Sequence, residues 1–285
     1  MSIEHLDRST FLKKMLAGVA VLLATSAESL AQGAQQPDPL ATRSGWEVGA
    51  QAAHYHYEEP RAMKLIGSRV GGLGSFTFTQ AGLFFRTDVR LSYGELKYQS
   101  EGSGTKDRVP DAIFEPRFVV GKDFPSDNGV VFSPYAGLGF RTLYNDLRGN
   151  TKGRSTPANP SGIYAGYRRY SYYLYAPVGL STRVGLDNRW VLAPIVEYDF
   201  FLRGTQISTL SDVGGCNRDI TNTQKRGYGY RAAFMVEKSR WAFGPWIHRW
   251  SIENSDLQPD ACGGAPLLEP RNWTREIGFE IRYRF

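Results

Sequence analysis

The chain has 285 residues, 41% of them apolar and 22% charged, and 34 basic against 28 acidic side chains leave a formal net charge of +6. Mean hydropathy is negative, and beyond residue 31 no apolar run reaches the roughly 18 residues of a membrane helix, which excludes a helical membrane protein. The basic balance raises nucleic acid as a partner, but no basic cluster is longer than Arg168-Arg169, so an anionic lipopolysaccharide surface matches the charge better.

Met1 to Ala31 reads as a secretory signal. Lys13 and Lys14 precede an apolar run from Met15 to Ala24, and Ser29-Leu30-Ala31 offers small residues for cleavage. The run is about a dozen residues, too short for a spanning helix of about 20. The expected organisation is a signal peptide at 1–31, a short periplasmic segment at 32–44, and one β-domain at 45–285.

Strand signals recur through that domain with almost no helical periodicity. Ten strands are expected, at 45–57, 69–79, 83–98, 111–123, 130–145, 169–184, 189–208, 224–238, 240–254 and 272–285. Eight or twelve stay open, because the first two are weakly patterned and glycine-rich around Gly71 to Gly74. The last strand alternates most cleanly. Trp273, Ile277, Phe279, Ile281, Tyr283 and Phe285 share one face with Arg275, and Thr274, Glu276, Gly278, Glu280, Arg282 and Arg284 share the other. The seventh strand puts Pro194, Val196, Tyr198, Phe200 and Leu202 outward, with Glu197, Asp199 and Arg203 inward. The fifth puts Phe132, Ala136, Leu138, Phe140 and Tyr144 outward, with Tyr135, Gly137, Gly139 and Arg141 inward.

Three features turn alternation into a membrane reading. Aromatics gather near strand ends, at Phe84-Phe85, Trp190 and Trp241 on one rim and Tyr55, Tyr57, Tyr170, Tyr172 and Tyr228 on the other, as interfacial girdles require. Connections alternate between short ones (80–82, 124–129, 185–188, 239) and long ones (58–68, 99–110, 146–168, 209–223, 255–271). The chain also ends Tyr283-Arg284-Phe285, and a terminal aromatic on an alternating strand is similar to the signal read by the bacterial barrel assembly machinery. The expected fold is therefore all-β, a single closed antiparallel transmembrane barrel in the outer membrane, with both termini in the periplasm.

Four stretches resemble a poorly characterised family of proteobacterial outer-membrane β-barrel proteins. They are Tyr57-Glu58-Glu59-Pro60 with Met63-Lys64, Glu197-Tyr198-Asp199-Phe200, Gln206-Ile207-Ser208, and Glu269-Pro270-Arg271-Asn272-Trp273-Thr274-Arg275-Glu276-Ile277-Gly278. The resemblance implies location and architecture, and it carries no catalytic residue or cofactor.

Candidate chemistry follows from what the strands display. A ten-strand barrel is similar to the omptin proteases, yet their Asp-x-His arrangement is absent. The His-x-Ser pair of small-barrel lipid A deacylases is also absent, since His248-Arg249-Trp250-Ser251 has the wrong spacing. His54 and His56 share a face, with Glu58 following, which makes a rim metal site geometrically conceivable; membership of an interfacial cluster with Tyr55 and Tyr57 is the plainer reading. Inward charges form the main constellation: Arg86, Asp88, Arg90, Glu115, Arg117, Glu197, Asp199, Arg231, Glu276 and Glu280. A salt-bridged plug is expected from them, with an ion path as the rival. The two cysteines, Cys216 and Cys262, fall in neighbouring outer loops of an exported chain, so a disulfide between them is expected. The resulting expectation is a non-enzymatic barrel with a largely plugged lumen and recognising loops. A narrow solute-selective channel and a surface hydrolase with an unrecognised catalytic group are the alternatives.

Overall fold

The computed structural model describes residues 40–214, 216, 218–259 and 266–285. The signal segment 1–31, most of the segment 32–44, and Cys262 lie outside the described residues.

Twelve strands account for most of these residues: β1 (Gly45–Glu59), β2 (Met63–Gln80), β3 (Leu83–Ser100), β4 (Gly104–Lys122), β5 (Phe124–Ser126), β6 (Val130–Lys152), β7 (Ile163–Gly185), β8 (Trp190–Ser208), β9 (Ile220–Gln224), β10 (Gly227–Lys238), β11 (Trp241–Ile252) and β12 (Asn272–Arg284). Ten are staves, each antiparallel to the next, and β12 pairs with β1 from Glu47↔Arg284 to Glu58↔Trp273, closing the ring. The short β5 and β9 extend this wall along β6 and β8. Closure gives every staff two partners, which hydrocarbon demands of backbone donors and acceptors. No helix of the described residues is long and apolar enough to cross a membrane.

The pleat sorts the side chains. Val70, Leu138, Val196 and Phe279 stand outside, each more than half exposed, while the lumen holds Arg69, Arg141, Glu115 and Glu276 almost fully buried. An apolar exterior around a polar interior is the transmembrane barrel pattern. Girdle contacts mark both ends of the apolar belt. Trp241 meets Tyr283 at 4.9 Å near one rim, and Tyr198 stacks on Tyr228 at 6.1 Å toward the other.

One rim carries tight turns and the C-terminus, and is called here the turn rim. Ala81 and Gly82, at φ 51° and 77°, make the two-residue turn between β2 and β3, the left-handed pair that matches strand twist. The opposite loop rim departs from expectation. Residues 58–68 and 99–110 are not long loops, because β1–β2 turn within 60–62 and β3–β4 within 101–103. The expected loop 146–168 also narrows to 153–162. Above the belt both strand faces meet water, so apolar alternation fades while backbone pairing continues.

Two side-chain placements also differ. Tyr55, Tyr57 and Phe84 are buried in the lumen rather than on a girdle, since neighbours along a strand face opposite ways. Arg203 points outward, not inward: Leu174 pairs with Arg203 but Tyr175 with Phe201, so Leu202 is an extra residue that reverses the phase beyond it.

Candidate functional site

The lumen is the feature with concentrated chemistry, and it is layered. At its centre Glu115 and Glu276 each collect several arginines. Arg90 donates to Glu115 at 3.0 Å and to Glu276 at 3.0 Å, and Arg141 donates to the same two at 3.2 and 2.9 Å. Arg231 adds a bond of 2.8 Å to Glu115, and the Tyr175 hydroxyl one of 2.7 Å. On one flank Arg69 pairs with Asp111 and lies over the Tyr55 ring at 3.3 Å. On the other, Arg117 forks onto Glu197 at 2.6 and 2.8 Å and reaches Asp88 at 2.9 Å.

Toward the turn rim, Arg86 binds Asp88 at 2.7 Å, Arg284 binds Glu47 at 2.8 Å, and Arg282 binds Glu280 at 2.7 Å. These groups line a cavity of about 130 Å³ whose inner end is formed by Arg90, Glu115, Arg117 and Arg231. On the other side of the central cluster lies an apolar layer of Leu65, Leu96, Ile113, Leu143, Tyr173, Phe201 and Trp250, all buried.

All ten lumen charges read from the sequence face inward, and eight join into the central network and its flanks. Asp199 instead pairs with His248, whose Nε2 lies 3.1 Å away, and Glu280 serves Arg282. The His248–Asp199 contact spans β10, where Gly229 is the intervening inward residue. A Cβ on Gly229 would stand 3.0 Å from the Asp199 carboxylate and 2.9 Å from the Trp250 ring. The missing side chain makes the room. His248 and Asp199 are fully buried, so the pair is sealed from either rim.

Sequence reading missed Glu47, Arg69, Asp111 and His248 as members, and placed Arg141 in the lumen without a partner. Inward parity marks all five, but their partners come from strands remote in sequence. Also missed was a cluster at the loop rim. Arg169 on β7 donates to Glu59 at 2.6 Å and also binds Glu269, in the segment between β11 and β12. The Tyr57 hydroxyl donates to Glu59 at 2.7 Å and stands 3.2 Å from Glu269. Two carboxylates thus share one guanidinium. Burial, and then Glu59, outweigh the pull of Arg169 and push the Glu269 carboxyl up to about 8. Ser255 and Glu269 exchange hydrogen bonds of 3.0 and 2.8 Å, fixing the ends of this segment. Two of the stretches that resemble the barrel family, at 57–64 and 269–278, therefore converge at one latch.

The remaining candidates separate. His54 faces outward; the His56 ring packs on Trp273 at 4.5 Å and reaches Glu58 at 3.2 Å. Among the described residues no group of three or more His, Cys, Asp or Glu is arranged to hold a metal ion. Cys216 follows the turn at Leu210–Asp212, while Cys262 lies outside the described residues. Tyr283 and Phe285 pack edge to face at 5.3 Å at the turn rim.

No protein-family model matches the chain, and no curated protein sequence matches it. Solved structures do. The outer-membrane protease OmpT of Escherichia coli aligns with a TM-score of 0.55 at 10% identity, covering 91% of this chain and all of that one. The translocator domain of the autotransporter NalP from Neisseria meningitidis aligns at 0.38 and 9% identity, covering 97% and 98%. Neisserial surface protein A aligns at 0.35 and 12% identity, covering 85% and 98%. At such identity the first likeness is one of fold, and the other two are too distant in shape to add to it. The chain folds as the outer-membrane barrels do.

Proposed function

We propose that this chain is an integral outer-membrane protein with a closed lumen, both termini in the periplasm, and a rigid wall that holds recognising segments at the outer rim. The carrying observation is the interlocked layer of Arg90, Glu115, Arg141, Arg231 and Glu276, backed by the apolar layer around Trp250. Charges of both signs satisfy one another across the lumen, which leaves no row of free ligands for a permeating ion. Recognition then belongs to the loop rim, where variable segments sit on a fixed scaffold. Lipopolysaccharide is the expected lipid partner, and the terminal Tyr283 and Phe285 are the expected signal to the assembly machinery. A catalytic role has little to stand on, because the buried His248–Asp199 pair has no route to a substrate.

The second reading, a narrow channel, draws support from the cavity of about 130 Å³ that reaches inward from the turn rim to Arg90 and Arg231. Planar-bilayer recording distinguishes the two. Purified protein is expected to give no unitary conductance, and reproducible steps would overturn the closed-lumen reading in favour of the channel.

A further inference from the structure

Many charged side chains of the wall point inward or meet an opposite charge, but two outward arginines on neighbouring strands do neither. Arg249 on β11 stands directly opposite Arg275 on β12, and Arg275 stands opposite His56 on β1. Like charges in directly opposed positions on neighbouring strands repel. The outward carboxylate on this part of the wall, Glu58, is engaged by His56 at 3.2 Å and lies opposite Lys64. Among the described residues the two guanidiniums have no carboxylate partner.

Their height is as specific as their pairing. One outward step toward the turn rim, Ile247 and Ile277 face each other, and Ile277 is 49% exposed at the edge of the apolar belt. One outward step toward the loop rim, Trp273 packs on His56 at 4.5 Å and lies under the Arg249 guanidinium at 5.6 Å. Tyr230, opposite Arg249, is also exposed. The arginines thus sit where hydrocarbon gives way to headgroups.

We infer that Arg249 and Arg275, with His56 beside them, form a wall site for the phosphate monoester of a lipid headgroup in the leaflet at the loop rim. A monoester carries about 1.5 to 2 negative charges near pH 7, enough to offset two guanidiniums, whereas a phosphodiester carries one. Guanidinium forks suit phosphate oxygens geometrically. The ring of Trp273 holds Arg249 in place for that contact. Independent snorkelling toward water explains a single interfacial arginine; it does not explain two placed in direct opposition. The inference rests on the reading that the apolar belt lies in a membrane.

Native mass spectrometry of the full chain refolded in detergent, with lipid A, phosphatidylglycerol or phosphatidylcholine added, tests it. Lipid A, the monoester, is expected to be retained about tenfold more than the phosphodiester phosphatidylglycerol. R249Q/R275Q should lose that preference, R249K/R275K should keep part of it, and K122Q, an outward cation near the turn rim, should leave it intact. Equal retention of lipid A and phosphatidylglycerol, or unchanged lipid A retention by R249Q/R275Q, would overturn the site. Insertion of the unmodified chain into phosphatidylcholine vesicles is scored separately: failure there sinks the membrane reading, and insertion without phosphate preference sinks the site alone.

Discussion

The central cluster and the loop-rim latch are built from the same groups, arginines, glutamates and a tyrosine hydroxyl, yet they differ in stoichiometry. At the centre Glu276 alone is bonded by Arg90 and Arg141, with Arg69 at 3.8 Å, so cations are abundant. At the rim Glu59 and Glu269 divide one guanidinium, that of Arg169. The first arrangement gives each carboxylate more than one guanidinium. The second retains a proton. Both sites are buried, and what differs between them is the ratio of guanidiniums to carboxylates.

The largest effect should come from breaking the staple. Glu276→Ala leaves three buried arginines to share Glu115 and Asp111, and an unpaired buried charge costs about 3–5 kcal/mol. The urea midpoint of the barrel in lipid vesicles should fall accordingly. Glu269→Gln at neutral pH should move that midpoint far less, because Arg169 keeps Glu59. Equal losses in the two variants would erase the distinction drawn above.

A sharper contrast is pH. The folded value of Glu269, about 8, stands above the ordinary 4.5, so the closed latch holds a proton that an opened one releases. Its stabilisation is therefore full below about 4.5, declines as pH rises, and is lost through about 8. Hydrogen exchange in 253–259 and 266–271, corrected for intrinsic rate, should show opening rise by an order of magnitude or more between pH 5 and 9. Glu269→Gln should flatten that slope; a slope that persists in the variant would assign it to another group.

How much of this was readable beforehand follows from which interactions are local. Alternation located the ten staves and the inward parity of Arg86 through Glu280, since period two is written along each strand. It could not place partners such as Arg90 and Glu276, 186 residues apart in sequence, because registry across a closed ring is set by every intervening pair. Arg203 was misplaced by a single bulge at Leu202, which carries no compositional mark. The strands above the belt are longer than expected for a related reason: Asp107 and Lys152 look like loop residues once both faces are wet. Glu59 and Glu269 were noticed only within stretches of family resemblance, with nothing local to say that they meet.

The smallest expected effect concerns the cysteines. A bond between Cys216 and Cys262 would close a segment of about 45 residues, with a ceiling near 4 kcal/mol in a chain-entropy model, most of it pre-empted by the barrel's own restraint. Non-reduced peptide mapping should show the linked pair, and reduction should loosen 209–214 and 253–259 while the barrel midpoint stays in place. Two alkylatable thiols would leave the latch as the tether of the β11–β12 segment.

Inward glycines act as sockets for aromatic rings from the facing strand. A Cβ on Gly139 would fall 2.2 Å from Tyr175, and one on Gly179 would fall 2.4 Å from Tyr135. Tyr175 in turn positions Glu115, and Tyr135 positions Glu197. Neither member of such a couple can drift alone, because a larger residue evicts the ring and a smaller ring leaves a void beside a charge. Each such couple is a single mechanical part: a side chain added at Gly139 displaces the Tyr175 ring and with it the hydroxyl that holds Glu115, so a change at an uncharged glycine is transmitted to the charge network.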